Sequence, residues 1–272
     1  MSSVIAFDQD LNPVLRQAST EDLEPLVKYL KKARLQSIEA SDLYKNHFPD
    51  HSKYPDQIAS SLREMGGNSF RNLIRTAGPS YIEIVRDVAD KLKAPYNKKS
   101  EIQQIEASIL STILEKALQS MSPEEQKELL DTFESSSSDL LAQLKNVRGE
   151  LMTGSAIALF NAGGFASYQM TLIIANQIAR ATLGHGLALA TNAAITRVAS
   201  FVTGPVGIAV TALWTLVDLA GPAYRVTIPS VIYIAMLRQK MNLGTCESCG
   251  VLKVSTEQKF CNNCGKSLSN DS

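Results

Sequence analysis

Residues Gly204–Arg225 read GPVGIAVTALWTLVDLAGPAYR. The stretch is apolar, rich in small residues and broken near both ends by Gly-Pro pairs, with Asp218 and Arg225 toward its C-terminal end. Such a segment spans a membrane, lies against one, or fills the core of a helical protein. Val198–Val217 is 20 residues without a charge, longer than the ~18 apolar residues that make a spanning candidate. Gly204-Pro205 interrupts it, because proline lacks the helical N–H and clashes with the preceding turn. An independent straight span is therefore not expected. A broken, closely packed helix is, either in a soluble core or in a bundle that touches membrane.

The surrounding sequence extends this pattern. Leu151–Ala179 is a second uncharged run, of 29 residues, but Asn161, Gly163, Gly164, Gln169, Asn176 and Gln177 dilute it. No strand alternation occurs between 151 and 237, and three or four helices separated by glycine breaks are expected. Spacings such as Gly204-xx-Gly207 let helices approach closely in lipid or in a soluble core. Of 54 charged residues, 42 lie in 1–150, eight in 238–272 and four in between: Arg180, Arg197, Asp218 and Arg225. Charges in apolar surroundings are costly unless paired, so Asp218 and Arg225 are expected to pair across Gly221-Pro222.

The first half has the marks of capped helices. STEDLEPLVKYLKKA starts with Ser19 and Thr20, has an acidic first turn and ends in basic residues, as the helix dipole favours. Leu23, Leu26, Val27 and Leu30 line one face. In PSYIEIVRDVADKLK, Ile82, Val85, Val88 and Leu92 share a side. EIQQIEASILSTILEKALQSM repeats Ile102, Ile105, Ile109, Ile113 and Leu114 at helical spacing. SPEEQKELLDTF offers Ser122 as cap, Pro123 at the first helical position and Glu125 to complete a capping box. SSSS at 135–138 is a break, and DLLAQLKNVRGELM is a further candidate helix. The fold class is all-α, with a charged helical domain at 1–145, an Ala/Gly-rich apolar helical region at 151–240 and a small module at 244–268.

That last module is the one feature with definite chemistry. TCESCGVLKVSTEQKFCNNCGKSL carries Cys246, Cys249, Cys261 and Cys264 as two CxxC pairs, each followed by glycine (Gly250, Gly265). Four thiolates at this spacing close a tetrahedron around Zn²⁺, and the glycines permit left-handed turns that aim backbone amides at sulfur. A structural four-cysteine zinc ribbon is the expectation. A catalytic zinc needs an open position, which four cysteines do not leave, and a redox pair does not account for the second CxxC. All the cysteines are in this module, which fits a reducing, cytoplasmic setting. MSSVIAFDQD has no basic region followed by an apolar run, so no secretory leader is expected.

Other constellations are weaker. His47 and His51 flank Asp50 in NHFPDH, but Pro49 between them favours turn packing over a metal or hydrolytic site. GGNSFRN at 66–72, with Arg71 and Arg75, has the glycines of an anion cradle but no preceding strand, and a helix stop followed by a cap explains it equally. His185, in LGHGL, has no nucleophile or carboxylate beside it. With 27 basic and 27 acidic residues the net charge is zero, which gives no reason to expect nucleic acid.

AGGFASYQMTLIIANQIARATLGHGLALATNAAITR and GPVGIAVTALWTLVDLAGPAYRVTIPSVIYIAMLR, with DLEPLVKYL, YKNHFPDHSKYPDQIA, GGNSF and YIEIVRDVADKLK, resemble the YaaW-like family of bacterial proteins. The resemblance covers roughly 8–240; the ribbon is an addition that not all members share. It implies a bacterial protein on the cytoplasmic side, free, peripheral on or inserted in the inner membrane. It also implies a remote grouping with ubiquinol–cytochrome c chaperone domains, which are helical assembly factors, and transfers no catalytic residue. The expectation is a non-enzymatic interaction protein that engages membrane or a membrane-bound partner through its apolar helices, with the ribbon as docking module. The alternative is a soluble assembly chaperone whose apolar helices form its core or client groove. In either case the partner expected is a protein.

Overall fold

Ser19 Oγ accepts the amide of Asp22 at 3.2 Å, and the Asp22 carboxylate accepts the amide of Ser19 at 3.4 Å. This reciprocal cap starts helix α2 (Thr20–Lys32), which buries Leu23, Leu26, Val27 and Leu30 as their spacing requires. The computed structural model describes residues 7–32, 38–66, 78–132, 150–187, 221, 223–254 and 258–268. α1 (Asn12–Gln17) packs on α4 (Pro55–Met65); α4 and single 3₁₀ turns at Ile38–Ala40 and His51–Lys53 touch α2, and α3 (Asp42–His47) contacts both turns. Helices α5 (Tyr81–Leu92), α6 (Ile102–Gln119) and α7 (Pro123–Thr132) follow. Each begins with a reciprocal cap: Ser80 with Glu83, Glu101 with Gln104, and Ser122 with Glu125. Such caps satisfy backbone amides that the first helical turn leaves unpaired.

All five apolar positions picked out on α6 are buried. On α5, Val85, Val88 and Leu92 are buried as expected, while Ile82 is half-buried and Tyr81 and Ile84 complete the inward face. α8 (Glu150–Asn161) and α9 (Gly164–Leu183) come from the first uncharged run, and α10 (Tyr224–Leu243) follows Gly221. Gly163 and Gly164, at φ 77° and 70°, occupy left-handed backbone that other residues resist. There the chain bends by 112° between Thr153–Asn161 and Gly164–Leu183.

α9 packs along α10, and α10 in turn touches α1, α2, α4, α5 and α6. Phe165 through Ala179 are buried without interruption, as are Val226 through Leu237. Among the described residues the secondary structure is helical apart from two isolated β-bridges. No single described helix is long and apolar enough to cross a membrane; the bent pair α8–α9 meets the length and composition test only when joined. The segment 201–220, most of the Gly204–Arg225 stretch, lies outside the described residues, as do the anion-cradle residues 67–77, the segment 133–149, Arg197 and Asp218.

Candidate metal centre and the adjoining cavity

Each CxxC folds as a knuckle. The Gly250 amide donates to Cys246 O at 2.8 Å, and the Gly265 amide to Cys261 O at 2.9 Å. Both glycines have left-handed φ, 68° and 72°, which turns the backbone sharply after the second cysteine. The knuckles are copies offset by 15 residues, Cys246 to Cys261 and Cys249 to Cys264. Their supports repeat as well. Cys246 N donates to Val251 O and Cys261 N to Lys266 O, each at 2.8 Å. Thr245 bridges Leu252 as Phe260 bridges Ser267.

The four sulfurs lie within 4.8 Å of one another. Cys246 Sγ is 3.8 Å from Cys264 Sγ, and Cys249 Sγ is 3.6 Å from Cys261 Sγ. Metal–sulfur bonds of about 2.3 Å in a tetrahedron give sulfur–sulfur edges of about 3.8 Å, so the cluster can hold a metal ion. The amides of Cys264 and Asn263 draw the Cys261 thiol down to about 6. For Cys264 the Lys266 amide favours the thiolate, but desolvation and the neighbouring sulfurs push it up to about 11. Four thiolates this close repel one another, and a bound cation is what makes the fully ionised set stable. Among the described residues this is the one group of three or more His, Cys, Asp or Glu side chains arranged to hold a metal.

A cavity of about 410 Å³ adjoins the ribbon, lined by α6, the α8–α9 bend, α10 and Val254 of the ribbon. Glu106 and Arg238 face it. Glu106 is 3% exposed in the middle of the apolar face of α6. Arg238 Nε donates to its Oε2 at 2.9 Å and Nη2 to its Oε1 at 3.3 Å, while the Tyr81 hydroxyl donates to Oε1 at 3.0 Å. Arg238 Nη2 also reaches Asp10 O at 2.8 Å. Burial raises the Glu106 pKa against the lowering pull of Arg238. Burial pulls the Arg238 pKa down, but Glu106, with Tyr81 and Asp10, holds it above its ordinary value. Glu106 interrupts a stripe of isoleucines at 102, 105, 109 and 113, and that was the available signal for a buried pair. Nothing local pointed to Arg238 as its partner.

The remaining candidates do not form a site. His47 is exposed at the end of α3, while His51 is buried, with Nδ1 2.5 Å from the Tyr54 hydroxyl and its ring against Phe48 and Tyr54. Asp50 accepts the hydroxyls of Thr20 at 2.7 Å and Ser52 at 2.6 Å. The segment is an ordered turn, as the prolines suggested. His185 is exposed and its Nδ1 contacts Gly186 O. Arg180 is exposed near the end of α9, and Gly66 closes α4.

A family model described as ubiquinol-cytochrome C chaperone matches residues 50–232. A UPF0174 protein of Helicobacter pylori (strain J99) is 43% identical over 240 residues, covering 86% of this chain and 92% of the relative. The chain belongs to the UPF0174 family, within the ubiquinol-cytochrome C chaperone model. A second UPF0174 protein of the same strain is 38% identical over 73% of this chain and 94% of its own length. The UPF0174 protein YaaW of Escherichia coli K12 is 29% identical over 86% of this chain and 95% of its own. No solved structure matches the UPF0174 chain. The family resemblance read from the helical motifs is thus correct, and the matched span 50–232 takes in helices α4 to α9 and the first part of α10.

Proposed function

We propose that this UPF0174 protein is a non-enzymatic, chaperone-like protein that binds a protein partner through its helical body and carries a structural zinc in its C-terminal ribbon. The observation that carries the first part is the burial of Phe165–Ala179 against α10, α8, α6 and α2. The described helices of the apolar half, α9 and α10, serve as core, which supports the assembly-factor reading over lipid contact; the chaperone family match supports it independently. Glu106, the charged group best placed for acid–base work in the cavity, is committed to Tyr81 and Arg238, which supports a binding role. Zinc is favoured by the tetrahedral all-sulfur donor set, and a cytoplasmic location by free thiols in a module that needs them reduced.

Membrane engagement is the second reading, and the bent α8–α9 pair is the observation that favours it. Expression without detergent, high-speed centrifugation and liposome flotation separate the two. The proposed reading expects full-length protein in the supernatant and none floating with vesicles. Recovery in the membrane pellet, with flotation, would replace it. Affinity capture from the native host, with and without residues 244–272, then tests for a protein partner and for a docking role of the ribbon.

A further inference from the structure

The cavity beside the ribbon has an apolar part and a polar part. The apolar part is Phe160, Ala235, Leu243 at the end of α10, and Val254, which is seated on the helical core together with the buried Leu252. The polar part has donors to spare. Arg238 commits Nε and Nη2 to Glu106 and to Asp10 O, and among the described residues its Nη1, with two N–H groups, has no acceptor. Ser167 lines the cavity at 5% exposure, and its hydroxyl makes no hydrogen bond among the described residues. Asn161, exposed at the mouth, accepts Ser111 Oγ at 3.0 Å with Oδ1, which turns its amide N–H groups outward from that bond. Gly163 caps α9 with no side chain to offer, and the first-turn amides of a helix have no partner within it. The unpartnered Gln239 Oε1 is buried and so is not offered to the cavity.

We propose that this cavity binds a small monocarboxylate with an apolar body. Its carboxylate accepts from Arg238 Nη1, the Ser167 hydroxyl and the first turn of α9, and its body lies against Phe160, Leu243 and Val254. Charge-assisted bonds from a guanidinium are among the strongest available to such a ligand. Glu106 holds Arg238 in place beforehand and cancels its charge, while the start of α9 adds about half a positive charge. The balance suits one negative charge better than two. At about 410 Å³ the cavity is within the range of small-molecule sites, about 300–1,000 Å³. The inference is independent of the zinc and protein-partner readings, and its failure would leave both standing.

Probes of similar size and different charge test it: benzoate, benzamide, benzylamine and phenyl phosphate, each titrated into the full-length protein near neutral pH and followed by saturation-transfer NMR. Benzoate should bind at about 10 mM or tighter, as a ligand of its size does at ordinary efficiency. Benzamide and phenyl phosphate should bind more weakly, and benzylamine should give no response. Ser167→Ala removes one donor and should weaken benzoate about three- to tenfold. Ala107→Leu, which intrudes on the cavity from α6, should abolish binding. Melting curves confirm that both variants are folded, and both keep the Glu106–Arg238 pair intact. No response to benzoate at about 10 mM would overturn the proposal. Any other probe binding as tightly as benzoate would overturn the ligand class, and benzoate binding unchanged in both variants would overturn the site.

Discussion

Arg238 on α10 donates Nε to Glu106 Oε2 on α6 at 2.9 Å, joining residues 132 apart in sequence. Breaking a buried pair from one side leaves an uncompensated charge, which typically costs about 3–5 kcal/mol. Arg238→Ala should lower stability by about that amount, measured as the shift in urea midpoint at unchanged slope. Replacing both partners, as Glu106→Leu with Arg238→Met, should cost well under the sum of the single losses. Equal additivity would show that the pair is not the stabilising unit. Tyr81→Phe, which removes one hydroxyl donor to Glu106, should cost about 1 kcal/mol.

His51 gives the protein a pH dependence of calculable sign. Burial lowers its pKa below the ordinary 6.5, opposed by the Glu24 and Asp50 carboxylates. The unfolded chain therefore binds the proton more readily than the folded one. Stability from this residue is fully present above pH 6.5 and falls away as pH drops from there to the folded value. Thermal melts of the wild type and of His51→Asn, followed from pH 7.5 to pH 5, should converge toward the acid end. Parallel curves would show that His51 does not carry the dependence.

Elemental analysis should find about one zinc per chain, and Cys261→Ser should abolish it. Chelation should leave most of the far-ultraviolet helical signal in place, because the helices bury their own core and the ribbon contains none of them. A collapse of helicity on chelation would contradict this division of labour.

The caps supply a surface test that involves no core packing. Ser122 Oγ accepts the Glu125 amide at 3.2 Å, and Glu125 returns the bond to Ser122 N at 2.7 Å. Ser122→Ala should lower stability by about 1 kcal/mol, whereas Ser122→Asn should nearly preserve it. Equal losses in both would point to some role of Ser122 other than capping.

The caps and the apolar stripes of α2 and α6 were legible because they depend on residues three or four apart, which periodicity reports directly. The four cysteines were legible for a similar reason: metal geometry dictates their spacing. Glu106 with Arg238 was not, since partner choice across 132 residues is decided by how α6 and α10 pack. Nor was the seating of Leu252 and Val254 on the core, because two aliphatic residues in a cysteine-rich tail look the same whether they face solvent or the body. The Gly163-Gly164 break was visible as a pause, but its 112° bend depends on what the following helix finds to pack against.

The last long helix fastens the first ones. Besides gripping Glu106, α10 carries Lys240, which meets the Asp22 carboxylate at 2.6 and 2.8 Å, and Tyr233, whose hydroxyl donates to Asp22 O at 2.9 Å. During synthesis these fasteners arrive late. At about 5–20 residues per second, roughly 7–26 seconds separate the emergence of Glu106 from that of Arg238. Throughout that interval Glu106 lacks Arg238, and the part of α6 that α10 covers stays open. The Glu106–Arg238 pair, and the packing of α10 on the earlier helices, can therefore close only once nearly the whole polypeptide has been made.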